Sequence, residues 1–126
     1  LMLKDGAEEE DIVVALFHDL GFITNNENHG EFSATFLAPY VSERNVWMLE
    51  RHMYFQALHC GTHPDVDPNI RERWRGHPHF EYAANWVALY DVPSINPAME
   101  NASLETFIPM VERLFATPRN EIPIPG

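Results

Sequence analysis

The segment from Asp11 to Gly21 limits most strongly how this chain can fold. It runs Asp-Ile-Val-Val-Ala-Leu-Phe-His-Asp-Leu-Gly, and its apolar residues cover nearly the whole circumference of a helix, which is typical of a buried helix. Acidic residues Glu8 to Glu10 suit the N-terminal turn, where the helix dipole is positive, and the closing glycine suits a left-handed end. We therefore predict a buried helix over residues 7–20 that carries His18 and Asp19 at its end.

The adjacent His18 and Asp19 need partners if they follow so apolar a helix. Buried polar groups require hydrogen bonds, and a buried carboxylate requires a cation. One metal ion would satisfy both side chains. The alternative is a chance dipeptide at a fraying helix end, because the chain contains 7 His. The pair therefore predicts a metal site only together with further ligands.

The composition of the chain limits which class of protein it can belong to. The 126 residues, 45% of them hydrophobic, indicate one folded domain. A net charge of −11 argues against a nucleic-acid partner, because no basic surface offsets the phosphates, but a small anionic substrate stays compatible with a metal site. The single cysteine, Cys60, indicates a reducing compartment and hence a cytoplasmic protein. The chain has no long apolar run, so we expect no membrane span.

Helical periodicity recurs along the chain, and no stretch alternates as a strand would. We predict an all-α fold, a bundle of five or six helices. Residues 1–6 look like the end of an earlier element, Ser42 suits an N-cap, and Pro109 lies inside the last helix. After the first helix, the predicted helices cover residues 29–38, 43–58, 69–75, 80–90 and 103–116, joined by loops.

Five residues at helix ends and on helix faces form the candidate ligand set. Three imidazoles and two carboxylates suit one or two divalent metal ions such as Fe, Mn, Zn or Mg, and bundles build such sites from facing helices. Any single His among them could instead be a surface group or a hydrogen-bonded core group. The remaining histidines, His59, His63, His77 and His79, stand among Pro and Gly in predicted loops and receive no ligand role. The candidate ligands are His18, Asp19, His29, His52 and Asp91.

The segment Ala15-Leu-Phe-His-Asp-Leu-Gly21 resembles the His-Asp motif of the HD-domain superfamily. The order that follows is also similar: His29 opens a helix as His-Gly-Glu, His52 lies on the next helix, and Asp91 ends a later one. Sequence similar to the bacterial predicted HD phosphohydrolases stands at residues 39–45, 75–78, 90–91 and 107–115. The resemblance implies a single HD-like helical domain over residues 1–126 with the five candidates as metal ligands. The family's first His falls before Leu1, so we expect the chain to lack an N-terminal helix that carries it.

The resemblance implies three alternative functions. In HD phosphohydrolases the metal ions activate a water that attacks a small phosphate ester, with Asp19 bridging the ions as the central catalytic residue. In the mixed-valent diiron oxygenases, which include the organophosphonate-cleaving and myo-inositol oxygenases, the same ligands hold two irons that act on a small polar organic substrate. A catalytically inactive interaction module is the third alternative. Hydrolysis is the expectation that we retain.

Two further residues are candidate substrate contacts. Gln56 stands where the phosphonate-cleaving enzymes place a Lys one turn after the third His, so a phosphonate is a poor match for this chain. Arg75 offers a guanidinium fork for an anionic group, although it also fits a solvated position in the run Arg71, Arg73, Arg75.

Overall fold

The computed structural model describes residues 1–19, 29–58, 67–93 and 103–118. Within these ranges the chain is helical and contains no strand, which confirms the predicted all-α class. The helices are α1 (Met2–Asp5), α2 (Glu9–Phe17), α3 (His29–Leu37), α4 (Glu43–Gln56), α5 (Phe80–Trp86) and α6 (Leu104–Ala116), with a 3-10 helix at Ile70–Trp74 and a π-helical turn at Val87–Asp91. No described helix has both the length and the apolar character needed to cross a membrane.

Two predicted helices differ in detail from the structure. The first ends at Phe17 rather than at residue 20, because the His18 ring donates from Nδ1 to the Ala15 carbonyl at 2.6 Å and so competes with the backbone donor. The segment predicted as one helix over residues 80–90 is α5 followed by the π-helical turn, in which the Val92 N–H donates to the Val87 carbonyl at 2.9 Å. The predicted loops at residues 22–29, 60–68 and 93–102 lie almost entirely in the ranges 20–28, 59–66 and 94–102, which are outside the described residues.

The core lies where α3 packs along α4. Their backbones approach closely at Gly30, because a Cβ there would lie 2.5 Å from the Leu49 carbonyl oxygen and 3.4 Å from Cε1 of His52. Glycine is therefore the residue that lets α3 bring His29 against α4. On the other side, α6 packs on α2, where the Phe115 ring lies 5.7 Å from the Phe17 ring.

A buried polar network ties α2 to α4 and α5. Asn45 is fully buried and donates from Nδ2 to Glu10 Oε2 at 2.6 Å and to Asp11 Oδ1 at 2.9 Å. The Tyr82 hydroxyl donates to Asn45 Oδ1 at 2.5 Å, and Arg44 donates to Asp11 at 2.8 Å. Ser42 occupies the predicted N-cap position of α4 but makes no side-chain capping bond. The network fixes the position of α2 against α4. The candidate site takes residues from α4 and from the segment that follows α2.

Candidate metal centre

His18 and Asp19 follow the last residue of α2. Because His18 donates from Nδ1 to the Ala15 carbonyl, its Nε2 is the nitrogen left for other partners. Nε2 lies 3.0 Å from Asp19 Oδ2 and 3.2 Å from Asp91 Oδ1. These distances are those of ion pairs, but the buried Nε2 makes no hydrogen bond to any residue that the structure describes. Such a nitrogen beside two carboxylates is what a metal ligand requires.

His52 comes from α4 and is fully buried. It donates from Nδ1 to the Leu49 carbonyl at 2.8 Å, and its Nε2 lies 3.5 Å from Asp19 Oδ1. One ligand atom each of His18, Asp19 and His52 lies within 4.8 Å of the other two. Metal-binding His residues commonly donate their second nitrogen to a carbonyl in this way, which fixes the ring orientation.

His29 and Asp91 flank this group of three. His29, the first residue of α3, places Nε2 3.3 Å from Asp19 Oδ1 and 3.0 Å from Nε2 of His52. Asp91 ends the π-helical turn and contacts His18 through Oδ1, as given above. Both residues are buried. The structure therefore brings all five candidate ligands together in one cluster, with the Asp19 carboxylate between the rings.

The cluster has a characteristic charge state in the absence of an ion. Burial lowers the pKa of His18, but the Asp19 and Asp91 carboxylates outweigh burial and raise this pKa to about 10. Burial raises the pKa of Asp19, but His18 and His52 outweigh it and hold this pKa well below its usual range. At neutral pH the pair is therefore an imidazolium and a carboxylate. An incoming cation would take the place of the His18 proton.

The two candidate substrate contacts lie in different surroundings. Gln56 donates from Nε2 to Asp91 Oδ2, so the structure brings it to a candidate ligand. Arg75 is exposed, donates from a terminal nitrogen to Glu72 Oε1 at 2.7 Å, and lies over the Phe80 ring. The structure places its guanidinium with these two partners rather than with the cluster.

Sequence reasoning missed Trp86. Its buried ring lies 5.1 Å from the His18 ring and 6.3 Å from the His52 ring, and its buried indole N–H makes no hydrogen bond within the described part of the chain. It forms an apolar wall beside both imidazole rings. The available signal was a large aromatic residue on the same predicted helix as Asp91.

The donor set fits a divalent metal ion. Imidazole nitrogens and carboxylate oxygens suit borderline and harder divalent ions, and His18 Nε2 is a buried nitrogen that lacks a hydrogen-bond partner among residues 1–19, 29–58, 67–93 and 103–118. The cluster of His18, Asp19 and His52 could hold such an ion, and His29 and Asp91 lie beside it. Comparison of the chain with protein-family models, with curated proteins and with solved structures gives no match.

Proposed function

We propose that the protein is a metal-dependent phosphohydrolase that acts on a small phosphate ester, the function that the resemblance to HD-domain proteins also implies. The observation that carries the proposal is the cluster itself. Residues from α3, α4, the π-helical turn and the segment that follows α2 meet there, with ligand atoms of His18, Asp19 and His52 within 4.8 Å of one another.

Charge supports a role for a cation in substrate binding. The chain carries a net charge of −11, and Asp19 and Asp91 add two carboxylates at the site itself. A phosphate ester would be repelled by these groups in the absence of a cation. When bound, a divalent ion would supply charge neutralisation at the phosphoryl oxygens and lower the pKa of water.

The protein's own side chains would bind the ion, orient the ligand rings and shield the cluster. His18, His52 and His29 would hold the ion through Nε2, and carbonyl hydrogen bonds already orient the first two rings. The Trp86 ring, 5.1 Å from the His18 ring, would shield that side of the cluster from water. Asp19 is 45% exposed while His52 is fully buried, so substrate and water would approach from the Asp19 side. An accessible carboxylate supports hydrolysis, because the reaction consumes water.

The test begins with metal content. The metal-free protein is loaded with Mn²⁺, Fe²⁺, Zn²⁺ or Mg²⁺, freed of excess ion, and assayed by elemental analysis and with a panel of phosphomonoesters and phosphodiesters. We expect bound metal and phosphate release in wild type, and neither in Asp19→Asn. Arg73→Gln, an exposed change on the 3-10 helix, is the matched control.

Two results would replace this proposal. Oxygen consumption with an organic substrate, a mixed-valence diiron EPR signal and no phosphatase activity would establish the oxygenase instead. A protein that takes up none of these ions would indicate the interaction module.

A further inference from the structure

We propose that Gln56 is a positioning residue that fixes which oxygen of Asp91 faces the cluster and thereby favours small divalent ions over large ones. The inference rests on the proposed metal-binding function of the cluster. It assigns Gln56 a role through a ligand rather than through the substrate.

The two oxygens of Asp91 have different partners. Gln56 is the last residue of α4, one turn after His52, and donates from its side-chain amide to Oδ2. The other oxygen, Oδ1, lies 3.2 Å from Nε2 of His18. Asp91 is only 4% exposed, so its carboxylate cannot turn into solvent. Oδ1 is therefore the oxygen that the protein presents to the cluster.

The different partners of the two Asp91 oxygens affect ion selectivity, because divalent ions differ in whether they bind one or both oxygens of a carboxylate. Ca²⁺ takes about 6–8 oxygens and often binds both oxygens of one carboxylate, whereas Mg²⁺ requires about six ligands in tight octahedral geometry. Mn²⁺ shares the preference for octahedral oxygen sites. For Asp91 to offer both oxygens, Oδ2 would have to leave the Gln56 amide. That movement would strand a part-buried donor without its partner, which is unfavourable.

Position and charge can be separated by two substitutions of Gln56. Leu has a similar size and no donor, so Gln56→Leu would remove the amide hydrogen bond to Oδ2. Lys keeps a donor but adds a positive charge beside the cluster. Gln56→Lys would therefore keep the hydrogen bond to Oδ2 and lower the affinity of the cluster for every cation. The first variant therefore changes ion selectivity, and the second changes affinity without changing selectivity.

The experiment is calorimetric titration of the metal-free protein with Mn²⁺ and with Ca²⁺. We expect wild type to prefer Mn²⁺, Gln56→Leu to lose about tenfold in Mn²⁺ affinity but less than about threefold in Ca²⁺ affinity, and Gln56→Lys to lose both in equal proportion. Glu50→Gln, a change at a part-exposed position of α4, is the control and should match wild type. Should Gln56→Leu not fold, Gln56→Met provides the same comparison.

The outcomes separate this inference from the proposed function. A wild type that binds neither ion overturns both. A wild type that binds Mn²⁺, with a donor-free variant that keeps the wild-type ratio of Mn²⁺ to Ca²⁺ affinity, overturns the role of Gln56 alone.

Discussion

His52 is the candidate ligand most enclosed by protein, with a fully buried ring and both nitrogens in contact with other groups. Its neighbours differ in kind: a carbonyl oxygen on one side, and an imidazole and a carboxylate on the other. A ring held so firmly is oriented before any ion arrives. The residue-scale predictions therefore concern what is lost when a ligand or a proton is removed.

Replacing His52 by Gln should abolish tight metal binding. Gln keeps a polar side chain of similar size but cannot place an imidazole nitrogen beside Asp19. The loss of a direct ligand should exceed the roughly 10–100-fold decrease typical of residues that support ligands. Elemental analysis after Mn²⁺ loading measures it. His77→Gln is the control, because His77 is exposed and stacks on the Trp47 ring at 4.4 Å. Equal metal content in both variants would remove His52 from the site.

Metal binding should release a proton from His18. Burial lowers the pKa of this ring, but the two carboxylates outweigh burial and raise the pKa to about 10, and only a neutral ring binds a metal ion. Mn²⁺ affinity should therefore rise about tenfold per pH unit between about pH 6.5 and 8.5. Calorimetric titrations in buffers of different ionisation enthalpy measure both the affinity and the protons released. A pH-independent affinity would contradict the charge state described for His18.

The stability of the metal-free protein should fall as the pH rises, whereas its Mn²⁺ affinity should rise. The folded-state pKa of His18 lies above the ordinary value of about 6.5, so its stabilising contribution is fully present below that pH. It is lost as the pH rises through about 10. Urea unfolding of the metal-free protein at pH 6 and at about pH 9.5 should show the decrease, and His18→Gln should reduce it.

At the scale of elements, the close packing of α3 on α4 sets the position of His29. Gly30→Ala would place a Cβ 2.5 Å from the Leu49 carbonyl oxygen, which is backbone and cannot turn aside. We expect a loss of about 1–3 kcal/mol in unfolding free energy, typical of overpacking, together with weaker metal binding. Thr35→Ala, an exposed change on α3, should alter neither. Urea denaturation and Mn²⁺ titration of both variants decide the matter.

The π-helical turn sets the position of Asp91 in the same way. A π-helical turn contains one extra residue, so deletion of the exposed Ala88 should restore an α-helical turn and change the direction in which Asp91 projects. Metal binding should fall while helix content, measured by circular dichroism, stays unchanged. Leu89→Ala, at a residue 57% exposed, is the control. A deletion variant that binds metal as wild type does would show that the turn does not position Asp91.

The elements show where sequence reasoning reached its limit. Apolar periodicity located the helices and placed His18, His52 and Asp91 at their ends or on their faces, because burial follows from pattern. The π-helical turn has no comparable pattern, since its extra residue depends on packing around it. The pairing of Arg75 with Glu72 was accessible, because residues three apart on a helical turn are neighbours. The Gln56 contact with Asp91 joins residues 35 apart, and no local rule predicts it.

At the scale of the whole molecule, the Asn45 network joins α2, α4 and α5, and none of its members is a candidate ligand. Asn45→Ala would leave the Tyr82 hydroxyl with the longer hydrogen bond to Asp11 Oδ1 at 3.4 Å and remove the amide donor from the Glu10 and Asp11 carboxylates. We expect a loss of about 2–4 kcal/mol in unfolding free energy. Asn85→Ala, at an exposed position of α5, should stay near wild type. Equal urea midpoints for the two variants would show that the network adds little stability.

The 3.0 Å approach of Nε2 of His29 to Nε2 of His52 bears on the speed of metal uptake. A hydrogen bond between these two nitrogens requires a proton on one of them and a lone pair on the other. Before both rings can offer a lone pair to an ion, this proton must leave the contact between them. Loading of the cluster would then proceed in two phases, a rapid capture by the other ligands and a slower one timed by the departure of a single proton.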